Sequence, residues 1–151
     1  MLPQQIYNQV IFMVSRGENP EKDWITNNIY IHTRLNKGDM YINKSFFEQE
    51  KDEILILDCL LPCQHYFFLS TKRIGSYFQN EKKSFFYAEL DDFTEDCLDA
   101  LEPDSLTDIY TLTTKNNDFI SIEVDNGSPS RWAYAIIFLF LEREIYGYFK
   151  R

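Results

Sequence analysis

Glycine and proline are scarce in this chain, five of each in 151 residues. Glycines so few and so scattered supply no phosphate-cradling loop, and no Gly-x-Ser-x-Gly nucleophile elbow occurs. Cysteine is limited to Cys59, Cys63 and Cys97. An odd count makes no disulfide framework, and Met1-Leu2-Pro3-Gln4-Gln5 carries no basic region of a secretory signal. Reduced thiols in a cytoplasmic protein are therefore expected. No apolar run is long. The longest, Trp132 to Leu141, has ten residues, against the roughly 20 that a membrane-spanning helix needs. Lys and Arg are missing altogether between Lys83 and Lys115.

What is present is a large apolar and aromatic complement: 44% of residues are hydrophobic and 17% aromatic. Disorder requires the opposite composition, so a folded chain is expected. Its length suits a single domain, residues 1–151, able to bury roughly 70% of the surface that the unfolded chain exposes. Against 15 Lys and Arg stand 24 Asp and Glu, a net charge of −9. An acidic surface repels phosphate backbones and anionic lipid heads, so the expected partner is a basic protein, with no nucleic acid and no membrane.

Periodicity predicts an α+β domain with a mainly antiparallel sheet. Ile6, Val10, Met13 and Val14 mark a helix over Gln4–Arg16 that Gly17 can end. Ile29–Thr33 and Met40–Ile42 read as a hairpin around Asn36-Lys37-Gly38-Asp39, with a helix over Lys44–Lys51 as a further expectation. These lie in 1–49. From 50 onward the chain reads as sheet plus a C-terminal helix. Ile54–Leu57 opens a buried strand that stops at Pro62, and His65–Ser70 is the next. Lys72–Gly75 turns or bulges, Ser76–Gln79 continues, Asn80–Lys83 turns, and Ser84–Leu90 is a strand. Asp92-Phe93-Thr94-Glu95 has the spacing of a capping box and predicts a short helix ending at Pro103. Ile109–Thr113 and Phe119–Val124 form a hairpin. After Asn126-Gly127, Ser128 and Pro129 begin a helix that runs to about Tyr146.

The segment His65-Tyr66-Phe67-Phe68-Leu69-Ser70-Thr71-Lys72-Arg73-Ile74 resembles a strand and turn of bacterial pleckstrin-homology-like and GRAM-type domains. There an apolar strand runs into a short Thr/Asp-Lys-Arg-apolar turn. Glu53–Leu61 looks like the strand before it, and the 109–124 hairpin with the helix from Ser128 fits the end of such a domain. The resemblance covers about residues 50–151. It implies a bent, partly open β-barrel plugged at one end by the C-terminal helix, and a binding module without catalysis. Members that bind phosphoinositides carry a basic loop cluster. This chain is acidic, so lipid binding does not carry over.

One segment holds the whole charge excess. Glu89, Asp91, Asp92, Glu95, Asp96, Asp99, Glu102, Asp104 and Asp108 are nine of the 24 acids, and the other fifteen balance the fifteen Lys and Arg. Concentrated charge of one sign steers and selects a partner of the other, whereas a plain charge run is a solvated helix face. No Asp-x-Asp-x-Asp-Gly spacing marks a calcium loop. Cys59-x3-Cys63-x-His65, with Cys97 distant, has the ligand types of zinc but not the paired C-x2-C spacing. Buried small hydrophobes are the plainer role for these thiols, and no metal or cofactor is expected. Cys63 and His65 at i and i+2 would share a strand face, yet nothing else marks a Cys–His nucleophile. The C-terminal helix is apolar on all sides, which calls for cover on all sides. Val10, Ile11, Phe12 and Val14 of the first helix are the natural cover.

The sequence therefore points to a non-catalytic binding protein. Its most concrete form is a bacterial immunity protein neutralising a basic toxin such as a nuclease, with Glu89, Asp91, Asp92, Glu95, Asp96, Asp99 and Glu102 as the partner-binding residues. The alternatives are a pleckstrin-homology-like adaptor binding a peptide and a small enzyme whose site only the fold assembles.

Overall fold

A computed structural model describes residues 2–14, 32–36, 46–94 and 106–146, with side chains to residue 142. Among the described residues, two antiparallel sheets, two α-helices and a 3-10 turn form an α+β arrangement without a closed barrel. Helix α1 spans Pro3–Val14. The five-stranded sheet follows chain order: β1 (Thr33–Leu35), β2 (Leu55–Leu60), β3 (Tyr66–Ser70), β4 (Arg73–Phe78) and β5 (Glu81–Phe86). A 3-10 turn over Tyr87–Glu89 leads into β6 (Leu90–Phe93), which joins β7 (Thr107–Thr114) and β8 (Phe119–Asp125) in a three-stranded sheet. Helix α2, Ser128–Tyr146, closes the order.

Strand alternation sorts the residues of the larger sheet. Leu69 lies opposite Ile74 and Phe67 opposite Ser76, while Tyr66 faces Tyr77 and Phe68 faces Gly75. Leu57, Cys59, Phe67, Leu69 and Ile74 turn inward to a core completed by Leu112, Ile120, Ile122 and Val124 of the smaller sheet and by Trp132, Ala133, Ile136, Ile137, Phe140 and Leu141 of α2. Each Leu, Ile, Val or Phe side chain among them, fully buried, is worth about 1.5–3 kcal/mol in transfer from water. Phe140 stacks flat on Tyr87 at 3.9 Å between centroids. The Tyr87 hydroxyl reaches the carbonyl of Ser70 at 2.7 Å, so this buried phenol is satisfied.

Helix α1 packs on the core through Val10, which has no exposed surface, with Ile6, Tyr7, Ile11 and Val14 around it. Phe12 was expected to join this cover but is 78% exposed, because it falls on the opposite side of the helix from Val10. On α2, Trp132, Ala133, Ile136, Ile137, Phe140 and Leu141 are buried, Tyr134, Ala135 and Leu139 are partly buried, and Phe138 is 48% exposed, so the helix is not covered on all sides among the described residues.

Several boundaries differ from expectation for local reasons. The turn before β4 is tighter, at Thr71-Lys72, since the Ser70 hydroxyl accepts from the backbone N–H groups of both Lys72 and Arg73. Residues 73–75 thus become strand. The next turn is Gln79-Asn80, both with positive φ (50° and 64°), so the charged residues from Glu81 onward extend instead of turning. β5 ends at Phe86 because Glu89 accepts from the Phe86 N–H and closes the 3-10 turn. The expected helix over Lys44–Lys51 is not formed where it is described, from Phe46 on. There the Glu48 carbonyl is taken by Arg73 and the Glu50 N–H by the Glu53 carboxylate, which leaves no helical ladder for them. β1 pairs with β2 and shares only Thr33 with the expected Ile29–Thr33 arm; residues 29–31 of that arm, and the other arm, Met40–Ile42, lie outside the described residues.

Candidate functional site

The described part of the acidic segment sits on the smaller sheet. Leu90 and Phe93 are three residues apart, a spacing that puts them on opposite faces of a regular strand, yet both pack on the core. The register of β6 against β7 is irregular between Leu90 and Asp92, which makes Asp91 the extra residue of a bulge. The consequence is that two adjacent carboxylates, Asp91 and Asp92, are both exposed. Among the described residues β6 is an edge strand of its sheet. Among the described residues no ion pair reaches Asp91 or Asp92. Asp92 accepts from the Phe93 N–H at 2.7 Å in a local bond. Glu89 is exposed too, but one of its oxygens is held by the Phe86 N–H at 2.8 Å. Asp108 lies on β7. Because Phe93 pairs with Leu112 and the Thr94 N–H bonds the Thr111 carbonyl, no helix begins directly after Asp92, which corrects the capping-box expectation. Glu95, Asp96, Asp99, Glu102 and Asp104, and the short helix expected over them, lie outside the described residues, as does Cys97.

A second concavity lies on the outer face of the larger sheet. Tyr66, Phe68 and Tyr77 floor a groove of about 560 Å³ that Phe46 and Glu48–Glu50 wall on one side and Lys82 and Ser84 on the other. Phe46 lies 5.1 Å from the Tyr66 ring, and Phe47 meets Phe68 edge-on at 4.7 Å. The Phe68 ring lies directly over Gly75. A Cβ there would come within 2.2 Å of Cε1, so glycine makes the close approach of ring to strand. Beneath the wall is a buried ion pair. Arg73 donates to both oxygens of Glu53, from Nε at 2.8 Å and from a terminal nitrogen at 3.1 Å. The Glu53 side chain has no exposed surface, and it also accepts from the Ser70 hydroxyl at 2.6 Å and the Glu50 N–H at 2.9 Å. Burial alone would raise the carboxyl. The Arg73, Glu50 and Ser70 bonds outweigh it and hold Glu53 below the ordinary glutamate range. The Tyr66 hydroxyl donates to Asp58 at 2.9 Å, and burial first, then that carboxylate, push the phenol far up.

The two histidines of the chain both meet carboxylates of β8. His32 Nδ1 lies 3.1 Å from Asp125, which also accepts from Thr33 at 2.6 Å. His65 Nδ1 lies 2.7 Å from Glu123, whose other oxygen accepts from the Thr107 hydroxyl at 2.6 Å. Cys63 stands on the turn between β2 and β3, not on the strand, with Sγ 4.0 Å from Glu123. The three donors of Cys63, His65 and Glu123 lie within 4.8 Å of one another. Cys59 is apart from them. It is fully buried on the inner face, and burial pushes its thiol up to about 12. Cys59, Cys63 and His65, which have the ligand types of zinc in the sequence, are therefore not brought together, and Glu123, far away in sequence, stands beside Cys63 and His65 instead. Both His65 nitrogens are engaged, Nε2 by the Gln79 N–H at 3.3 Å, so in this arrangement the ring has no lone pair free to take the Cys63 proton.

No protein-family model, curated protein or solved structure matches this chain. The pleckstrin-homology-like reading therefore rests on the residues that suggested it.

Proposed function

We propose that this chain is a non-catalytic, cytoplasmic binding protein that takes a basic protein partner on its acidic surface, in its most concrete form an immunity protein neutralising a basic toxin such as a nuclease. The observation that carries the proposal is the bulge in β6. It exposes Asp91 and Asp92 side by side on an edge strand, without cations of their own among the described residues, in a segment that holds the entire charge excess. Unpaired carboxylates at an edge accelerate encounter with a cationic surface and reject anionic ones. The test is partner capture by the intact protein and by a variant carrying Asp91→Lys, Asp92→Lys, Glu95→Lys, Asp96→Lys and Asp99→Lys. A basic toxin domain bound by the first and lost by the second supports the proposal. Equal binding by both refutes the role of these acids.

The groove over Tyr66, Phe68 and Tyr77 favours a second reading, a pleckstrin-homology-like adaptor that binds a peptide. Its size is that of a ligand pocket, and its floor is aromatic. In that case Tyr77→Ala with Lys82→Glu abolishes partner binding, and the acidic variant does not.

A further inference from the structure

We propose that Cys63, His65 and Glu123 form a zinc site that clasps the turn between β2 and β3 to strand β8 of the other sheet. The fold brings the thiol and imidazole of one turn, Cys63 and His65, to within 4.8 Å of one another and of the Glu123 carboxylate from a strand far along the chain. A tetrahedral zinc with bonds of about 2.0–2.3 Å needs its donors roughly 3.3–3.7 Å apart. The separations of 2.7 Å from His65 to Glu123 and 4.0 Å from Cys63 to Glu123 bracket that range. The adjustment falls on Cys63, which is exposed and carried on a turn beside Gln64, a residue at φ 72°. Thiol and imidazole select zinc-class metals over magnesium or calcium. Three protein donors leave the fourth position to water.

The surroundings of the donors fit the role. Thr107 donates to one Glu123 oxygen at 2.6 Å and leaves the other directed at His65 and Cys63. Phe78 lies against the His65 ring at 4.5 Å and fixes its plane. One contact must change. Metal at Nδ1 requires the neutral ring to carry its proton on Nε2, where the Gln79 N–H now donates at 3.3 Å. Gln79 and Asn80 form an exposed turn, so the contact opens by displacing that turn. On binding, the Cys63 thiol releases its proton to solvent, and the imidazole proton passes from Nδ1 to Nε2.

The experiment is a titration of the full-length, metal-stripped protein with zinc by calorimetry, with cobalt(II) as spectroscopic probe and magnesium as control. Expected are one equivalent of zinc, a cobalt–thiolate charge-transfer band, a shift of the Gln79 amide resonance, and no response to magnesium. Cys63→Ser, whose side chain is exposed and whose fold circular dichroism checks, should lose the charge-transfer band and weaken zinc binding at least tenfold. Cys59→Ser, judged on the same check, should keep both. Absence of stoichiometric zinc binding by the wild type, or equal binding by Cys63→Ser, overturns the site.

Discussion

Glu53 shows what a single residue does in this molecule. Its carboxylate accepts from the Arg73 guanidinium, the Ser70 hydroxyl and the Glu50 N–H, and so ties β4, β3 and the groove wall together. Removing it strands a largely buried Arg73, whose side chain is only 14% exposed. Breaking such a pair costs about 3–5 kcal/mol. Glu53→Ala should lose that much in denaturant unfolding, and Arg73→Met with Glu53→Met should recover part of it. The pH sign follows from the lowered carboxyl. Its contribution is fully present above the ordinary glutamate range and is lost as pH falls through the depressed folded value. Glu53→Gln should therefore flatten the dependence of stability on pH in that acidic window. Gly75 makes a second residue-scale test. Gly75→Ala must displace the Phe68 ring, itself held between Phe47 and Arg73, and should cost about 1–3 kcal/mol. None of this was legible from residue spacing. Glu53 and Arg73 are twenty positions apart, and Glu123 reads as an ordinary strand carboxylate until the fold sets it beside His65.

At the scale of elements the apolar pattern was a reliable guide. β2, β3, the β7–β8 hairpin and both helices lie where alternation and helical spacing place them, because their inward apolar side chains share one core, while Leu55, Tyr66 and Phe68 pack with Phe47 in a second cluster on the outer face. Ile137 on α2 is fully buried in it, and Ile137→Ala should cost about 2–5 kcal/mol in thermal or denaturant unfolding. Turns were less legible. Lys72–Gly75 and Asn80–Lys83 look like turns by composition, but the positive φ at Gln79 and Asn80 and the Ser70 side-chain bonds move each turn by a few residues. β6 was the least legible of all. The Asp92-x-x-Glu95 spacing suits a helix start, yet Phe93 packs on Tyr134 at 4.7 Å and a strand bulge satisfies the core better. A tertiary contact overrides a local signal there, and it is that override which exposes the two carboxylates.

For the molecule as a whole, the central quantity is the distribution of charge. The fifteen acids outside Glu89–Asp108 equal the fifteen Lys and Arg, so the long-range field comes from that one segment. Partner association should slow markedly with added salt, since exposed charges act within a Debye length of about 8–10 Å at 0.1–0.15 M. Stopped-flow or surface-based kinetics against the captured partner would read this as a falling on-rate with a nearly constant off-rate. The most direct measurement compares capture of one partner by three forms of the protein: wild type, the five-position lysine variant of the acidic segment, and Tyr77→Ala with Lys82→Glu in the groove. Loss of a basic partner from the acidic variant, with full capture by the groove variant, is the result expected. Full capture by the acidic variant would contradict the account.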